Sequence, residues 1–186
     1  MKDLKTSLYL QHKKLGAKMA SFANYMMPIS YQNGLKFEYE AVRKNIGMFD
    51  VSHMGKIYIK GKDSIQYLQY ITTNNINNLK NGSAQYSLIC NKKGGIIDDI
   101  IIYKFNDDLF LLIVNASNVN DKYNWLIKNK DNYNVNISNN SSEYSIIAVQ
   151  GPNSRKILSQ VLDDDVELKF YTFKNMKFNN FDLIIS

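Results

Sequence analysis

The chain has 186 residues, a formal net charge of +6 and a hydrophobic share of 45%, enough for one sizeable core or two small ones and too apolar for a disordered chain. Lysine supplies nearly all of the positive charge, because Arg43 and Arg155 are the only arginines, and the lysines are scattered; this argues against a nucleic-acid groove, which concentrates basic side chains. Cys90 is the single cysteine, Met1-Lys2-Asp3-Leu4-Lys5 lacks the apolar core of a signal peptide, and no apolar run reaches the length of a membrane span, so a reducing, cytoplasmic setting with no membrane is expected.

Taken in chain order, Thr6 or Ser7 caps a helix carrying Leu8, His12 and Leu15, with Gly16 as its stop. An extended stretch over 17–22 follows, then turns at Met27-Pro28 and at Tyr31-Gln32-Asn33-Gly34. Leu35 to Ile46 reads as a helix with Phe37, Ala41 and Val42 inward, and Met48 to Met54 as a loop or short strand. Lys56-Ile57-Tyr58-Ile59-Lys60 alternates as a half-exposed strand does, and Asp63 caps a helix that buries Ile65 and Leu68. Three strands over 84–90, 96–105 and 109–114, joined by short turns, predict an antiparallel meander. Asn115-Ala116-Ser117 opens a helix through Lys130 with Val119, Trp125 and Leu126 on its apolar stripe. The Asn- and Ser-rich stretch 132–142 holds one alternating strand and the best boundary in the chain. A short buried strand over 144–149, a helix capped by Asn153 or Ser154 and a strand over 170–173 complete the order. The apolar run Phe181 to Ser186 has no turn or polar tail after it, so a truncated chain is expected.

One stretch carries most of the chemistry: Gly94-Gly95-Ile96-Ile97-Asp98-Asp99-Ile100-Ile101-Ile102. Adjacent side chains of a strand point to opposite faces, so Asp98 and Asp99 must differ in surroundings. At least one carboxylate lies among isoleucines, which raises its pKa or requires a donor, the profile of a working acid or base. The alternative is a twisted edge where both acids reach water or pair with Lys92 and Lys93. No dinucleotide-binding glycine pattern, phosphate-binding loop or paired metal-ligand spacing is present, so no metal is expected. His12 reads as a core histidine with one satisfied nitrogen, and His53 stands in a loop with its role open.

The words themselves resemble a known family. Leu8 and His12 followed by Leu15-Gly16-Ala17-Lys18-Met19, then Gly47-Met48-Phe49-Asp50-Val51-Ser52-His53-Met54, Gly94-Gly95-Ile96-Ile97-Asp98-Asp99, Val114-Asn115-Ala116 and Val149-Gln150-Gly151-Pro152 resemble, in order, the glycine cleavage system T protein, the aminomethyltransferase. The resemblance covers essentially the whole chain and only about the first half of the family. It implies an α+β fold of antiparallel sheets with packed helices, the N-terminal part of a three-domain arrangement. Residues 1–54 and 139–186 would form a discontinuous first domain, incomplete at its C-terminus, and 55–138 an inserted second domain holding the meander. The third domain would be absent.

It further implies transfer of a one-carbon unit from the aminomethyl-lipoyl arm of H protein to tetrahydrofolate, with release of ammonia. By resemblance Asp99 is the essential aspartate, Met54, Tyr86 and Asn115 line the folate cavity, and Tyr171 flanks the pterin. The same resemblance reaches two relatives, a folate-dependent demethylating module and a non-catalytic folate-binding protein of iron–sulfur protein maintenance. The chain departs from the family's pattern at Asn24-Tyr25, where Gly-Trp is usual. It also stops before the family's Gly-Tyr-Thr-Gly-Glu stretch, so low or no turnover is expected of residues 1–186 alone.

Overall fold

A computed structural model describes residues 3–117 and 119–186; Met1 and Lys2, at the start of the N-terminal stretch read above, and Asn118, inside the helix expected over 115–130, lie outside the described residues. Two compact units are formed, one by Met1–His53 with Ser142–Glu167, the other by Met54–Ser141 with Leu168–Ser186. Against the expected boundaries, the last nineteen residues, 168–186, group with the central segment rather than with the N-terminal one. The reason is local: Ala84 N donates to Tyr171 O at 2.8 Å and Thr172 bridges to Ser83, which ties this stretch to the meander.

In the first unit, β1 (Leu4–Lys5), α1 (Tyr9–Lys14), β2 (Lys18–Phe22) and β3 (Tyr25–Ser30) build a three-stranded sheet of order β1-β3-β2 with one helix. Ala23 and Asn24 both take positive φ, as a two-residue hairpin turn requires, so β2 turns directly into β3. The expected turn at Met27-Pro28 is therefore a strand. Pro28 is tolerated because β1 pairs only with Tyr25 and Met26, and the pairing with β2 shifts register between Lys18 and Met19. After α2 (Gly34–Lys44), β4 (Gly47–Asp50) pairs antiparallel with β10 (Ile147–Gln150), and α5 (Ser154–Leu162) ends in a left-handed Asp163.

Two expectations fail here. Phe37 is exposed, as are Leu35 and Met48, and these side chains line a cavity of about 540 Å³ that also receives Tyr31, Glu38 and Asp50. Ile147 in β10 is exposed rather than buried, since a two-stranded ribbon has only one neighbour to cover it.

His12 departs from its expected single bond. Its Nδ1 lies 2.8 Å from Tyr31 Oη and its Nε2 2.9 Å from Asp50 Oδ2, so both nitrogens are satisfied. His12 lies within α1, Tyr31 directly after β3 and Asp50 at the end of β4, so these two part-buried hydrogen bonds join the three elements.

The second unit is a five-stranded sheet of order β6-β7-β8-β5-β9: β5 (Gly55–Lys60), β6 (Ser83–Cys90), β7 (Ile96–Asn106), β8 (Leu109–Val114) and β9 (Asn136–Asn139), every neighbouring pair antiparallel. The meander β6-β7-β8 forms where the alternating runs and short turns placed it. The helices α3 (Ser64–Ile71) and α4 (Val119–Lys128) cover one face, burying Ile57, Ile59, Leu68, Ile100, Leu112 and Leu126 in a single cluster. Tyr67 joins that cluster with its hydroxyl donating to Leu126 O at 2.7 Å, which answers the cost of taking a phenol into the core.

β5 is central and not half-exposed: β8 and β9 pair with its two edges, Ile57 and Ile59 are fully buried and Lys56 is 1% exposed. The hairpin β11 (Lys174–Phe178) and β12 (Phe181–Ile185), turned by Asn179 and Asn180 at positive φ, closes the unit. Phe173, just before it, packs edge-on against Tyr103 and Phe105 on the sheet face opposite the helices. The fold class is α+β, antiparallel sheets with packed helices, with β1–β3 as the one parallel pairing among the described residues.

The Asp50 contact makes the first unit acid-sensitive. Burial pushes the Asp50 carboxyl up, but hydrogen bonds from His12 and Ser52 outweigh it and hold the group below its ordinary value. A carboxyl depressed in the folded state contributes stability that is complete above its unfolded value, about pH 4, and is lost as pH falls through the folded value. Urea unfolding at a series of pH values is expected to show this acid loss, and Asp50→Asn to be less stable at neutral pH with a flatter acid limb. Superimposable profiles would contradict it.

Candidate functional site

β7 resolves the two carboxylates. Asp98, Ile100, Ile102 and Lys104 point to the helix-covered face and are buried, while Asp99 on the opposite face is exposed. The register sets the neighbours of Asp99. Leu88 is its partner on β6, and Val114, paired with both Ile100 and Gly55, is followed by Asn115 as Gly55 is preceded by Met54. Leu88, Asp99, Asn115 and half-buried Met54 thus lie in a row at the same end of the sheet, the last two just outside its ladders. On the covered face, Gly55 lets β8 and α4 pack against the start of β5: a Cβ there would stand 2.5 Å from Val114 Cγ2 and 2.9 Å from Val119 Cγ1.

Asn115 joins the two acids. Its Nδ2 donates to Asp98 Oδ1 at 2.9 Å, to Asp99 Oδ1 at 2.7 Å and to Asp99 O at 3.2 Å, and its backbone N donates to Asp98 Oδ2 at 3.1 Å. Lys122 of α4, itself buried, completes the arrangement. Its Nζ lies 2.8 Å from Asp98 Oδ2 and donates to Asn115 O at 2.8 Å. The partner of the buried carboxylate is therefore Lys122 from the covering helix and not the turn lysines Lys92 and Lys93. A buried carboxylate without such a partner costs several kcal/mol, on the order of 3–5 when one member of a pair is removed.

On the open face, Tyr86 Oη donates to Asp99 Oδ2 at 3.3 Å. The Tyr86 phenol is pushed above its ordinary pKa, first by desolvation, then by the Asp99 charge and hydrogen bond, and last by Tyr171. Tyr171 itself is tied to β6 by its carbonyl, which accepts from Ala84 N at 2.8 Å, two residues before Tyr86. The strand expected over 170–173 is instead a turn: Tyr171 takes φ of 55°, and Thr172 N donates back to Lys169 O at 3.0 Å. A left-handed tyrosine is an uncommon backbone state, and here β6 holds it through the Ala84 N to Tyr171 O bond.

Asp99, Asn115 and Tyr86 are brought into direct contact, Tyr171 is bonded to Ala84 of the strand that carries Tyr86, and Met54 directly precedes β5. His53 belongs to the first unit, where its ring packs at 5.6 Å from Phe22 and 6.3 Å from Tyr25. Among the described residues no group of three or more His, Cys, Asp or Glu side chains could hold a metal ion, and no helix is long and apolar enough to cross a membrane.

The sequence matches the GCVT N-terminal domain family over residues 8–186. The chain belongs to that family. Its relatives include proteins named aminomethyltransferase from Thermosipho melanesiensis, 44% identical over 182 residues, and from Staphylococcus epidermidis, 46% identical over 171 residues. The first alignment covers 97% of this chain and 50% of the relative, the second 91% and 47%, so the chain spans about half the length of the curated relatives it matches. A solved structure of glycine cleavage system aminomethyltransferase T from Bartonella henselae superimposes with a TM-score of 0.84 at 29% identity, covering 91% of this chain and 46% of that one. This GCVT N-terminal domain chain thus has both the sequence words and the fold of its aminomethyltransferase relatives.

Lys122 is the site-region residue that sequence reasoning passed over. The signal was available: Val119, Lys122 and Leu126 fall on one face of α4, and a lysine inside an apolar stripe demands a buried acid.

The Tyr86–Asp99 contact has a direct test. Asp99→Asn removes the charge beside the phenol, so the Tyr86 ionisation, followed by NMR of ring-labelled tyrosine, is expected to move down towards the ordinary value. An unchanged Tyr86 titration would show that the two groups do not interact.

Proposed function

We propose that this chain supplies part of the tetrahydrofolate site of an aminomethyltransferase of the glycine cleavage system, which moves a one-carbon unit from the aminomethyl-lipoyl arm of H protein to tetrahydrofolate and releases ammonia. The observation that carries this reading is the Asp99 carboxylate, fixed at the open end of the sheet by Asn115 and Tyr86 with part of its hydrogen-bonding capacity unspent. An ionised carboxylate offers about four acceptor positions. Asn115 takes one on Oδ1 and Tyr86 one on Oδ2, which leaves positions on both oxygens for N–H groups of a ligand.

In this reading the pterin lies over the row Leu88, Asp99, Asn115 and Met54, with Tyr86 and Tyr171 as aromatic walls. A folate nitrogen attacks the methylene held between sulfur and nitrogen, and the carbon–nitrogen bond to the departing ammonia breaks. A second folate nitrogen then closes on the carbon as the carbon–sulfur bond breaks, leaving the dihydrolipoyl arm. Asp99 orients the pterin N–H groups, accepts a proton as nitrogen becomes bonded to carbon, and stabilises the cationic character that develops on the transferred carbon. None of these steps calls for a metal.

The two units would be the first part of a three-domain protein working in the cytoplasm, and the remaining half of the relatives' length would complete the cavity. Residues 1–186 with lipoylated H protein and tetrahydrofolate are expected to give little or no glycine-dependent methylenetetrahydrofolate; full turnover would contradict that part of the reading.

Binding tests the site itself. Calorimetric titration with a stable reduced folate is expected to show binding by the chain and a loss of about ten- to a hundredfold in Asp99→Ala, the range for hydrogen bonds to a charged group. Equal affinity in both proteins would remove Asp99 from the site.

A further inference from the structure

We infer that Lys122 and Asp98 are positioning residues for Asp99, acting through the side chain of Asn115; as a statement about function this rests on the folate reading of Asp99 given above.

The inference follows from how completely Asn115 is pinned. Its backbone N–H is held by Asp98, its side-chain amide by Asp98 and Asp99 together, and its backbone carbonyl by Lys122. A primary amide has two N–H donors. One serves the buried acid and the other serves Asp99, so the angle at which Asp99 is held depends on where Asp98 stands. Asp98 accepts from Asn115 on both of its oxygens, from the side-chain amide on Oδ1 and from the backbone N on Oδ2, and a carboxyl group accepts on both oxygens only while ionised. Lys122, buried like Asp98, lies 2.8 Å from its Oδ2 and supplies the opposite charge that keeps an ionised carboxylate in place on the helix-covered face.

Without that ammonium, the buried carboxylate loses its opposite charge and turns away from Asn115. The Asn115 amide would then rotate and leave Asp99 with the Tyr86 contact alone. The buried pair thus acts on the exposed acid by fixing the orientation of one amide between them, through the thickness of the strand.

A purely structural ion pair would hold α4 to β7 and leave the orientation of Asn115 unaffected, and this difference can be measured on the chain itself. Proton exchange of the Asn115 side-chain amide, followed by nitrogen-15 NMR, is expected to be slow in the native chain and at least about tenfold faster in Lys122→Met, a change comparable to losing one charge-assisted hydrogen bond. The backbone amides of β7 and β8 serve as the internal control and are expected to stay protected. Where Lys122→Met fails to fold, the apolar pair Asp98→Leu with Lys122→Met removes the buried charge and every side-chain acceptor at position 98, and the same rise in exchange is expected.

Unchanged Asn115 exchange with β7 and β8 intact would overturn the inference, as would a rise no larger than that of the strand amides. Titration with a stable reduced folate separates the two layers. Weaker binding in Lys122→Met, matching that of Asn115→Ala, supports the link to function. Faster Asn115 exchange together with folate affinity equal in wild type, Lys122→Met and Asp99→Ala would leave the positioning intact and reject the folate reading.

Discussion

The second unit depends on one side-chain amide held between two carboxylates. Asp98 and Asp99 are consecutive in a strand, so the pleat sends one into the covered face and the other out of it. Two like charges at that spacing repel, and burial makes the inner one expensive. Asn115 answers the repulsion by donating to both, and Lys122 answers the burial by pairing with the inner one. The outcome is a carboxylate whose orientation is set through Asn115 from behind, by Asp98 and Lys122 on the covered face.

The rest of the second unit makes this amide possible. β8 has to end at Val114 for Asn115 to leave the ladder and turn its side chain towards β7, and β5 has to start at Gly55 for the two strand ends to approach. The meander keeps β6, β7 and β8 adjacent in space as they are in sequence, so the row containing Leu88, Asp99 and Asn115 is built from short-range connections. α4 follows directly and carries Lys122 back over the buried face. The 168–186 stretch adds the remaining contact, since the turn at Tyr171 is strained by itself and is held where β6 accepts it.

Legibility in the sequence followed the range of the interactions. The meander, the helices over 64–71 and 119–128 and the α+β class could be read because periodicity and turn chemistry are local. Alternation alone also established that Asp98 and Asp99 differ. It could not say which is buried, because that depends on which face α3 and α4 cover. The exposure of Phe37 and Ile147, the second bond of His12 and the burial of Lys56 were likewise illegible, each being decided by an element distant in the chain. Tyr171 was expected in a strand because aromatic and β-branched residues surround it, but the backbone turns there and only then meets β6. Lys122 is the instructive miss: its place in an apolar stripe signalled a buried acid, and Asp98 was the acid in view.

In the proposed reading, which membership of the GCVT N-terminal domain family and the likeness to the Bartonella henselae aminomethyltransferase support, the open side of Asp99 is where a reduced folate would make contact. The most direct measurement of that claim is chemical-shift mapping: adding a stable reduced folate to the nitrogen-15-labelled chain. The account predicts perturbations concentrated at Tyr86, Leu88, Asp99, Asn115 and Tyr171. Perturbations confined to the cavity between β3, α2 and β4 of the first unit, with those five residues silent, would contradict it.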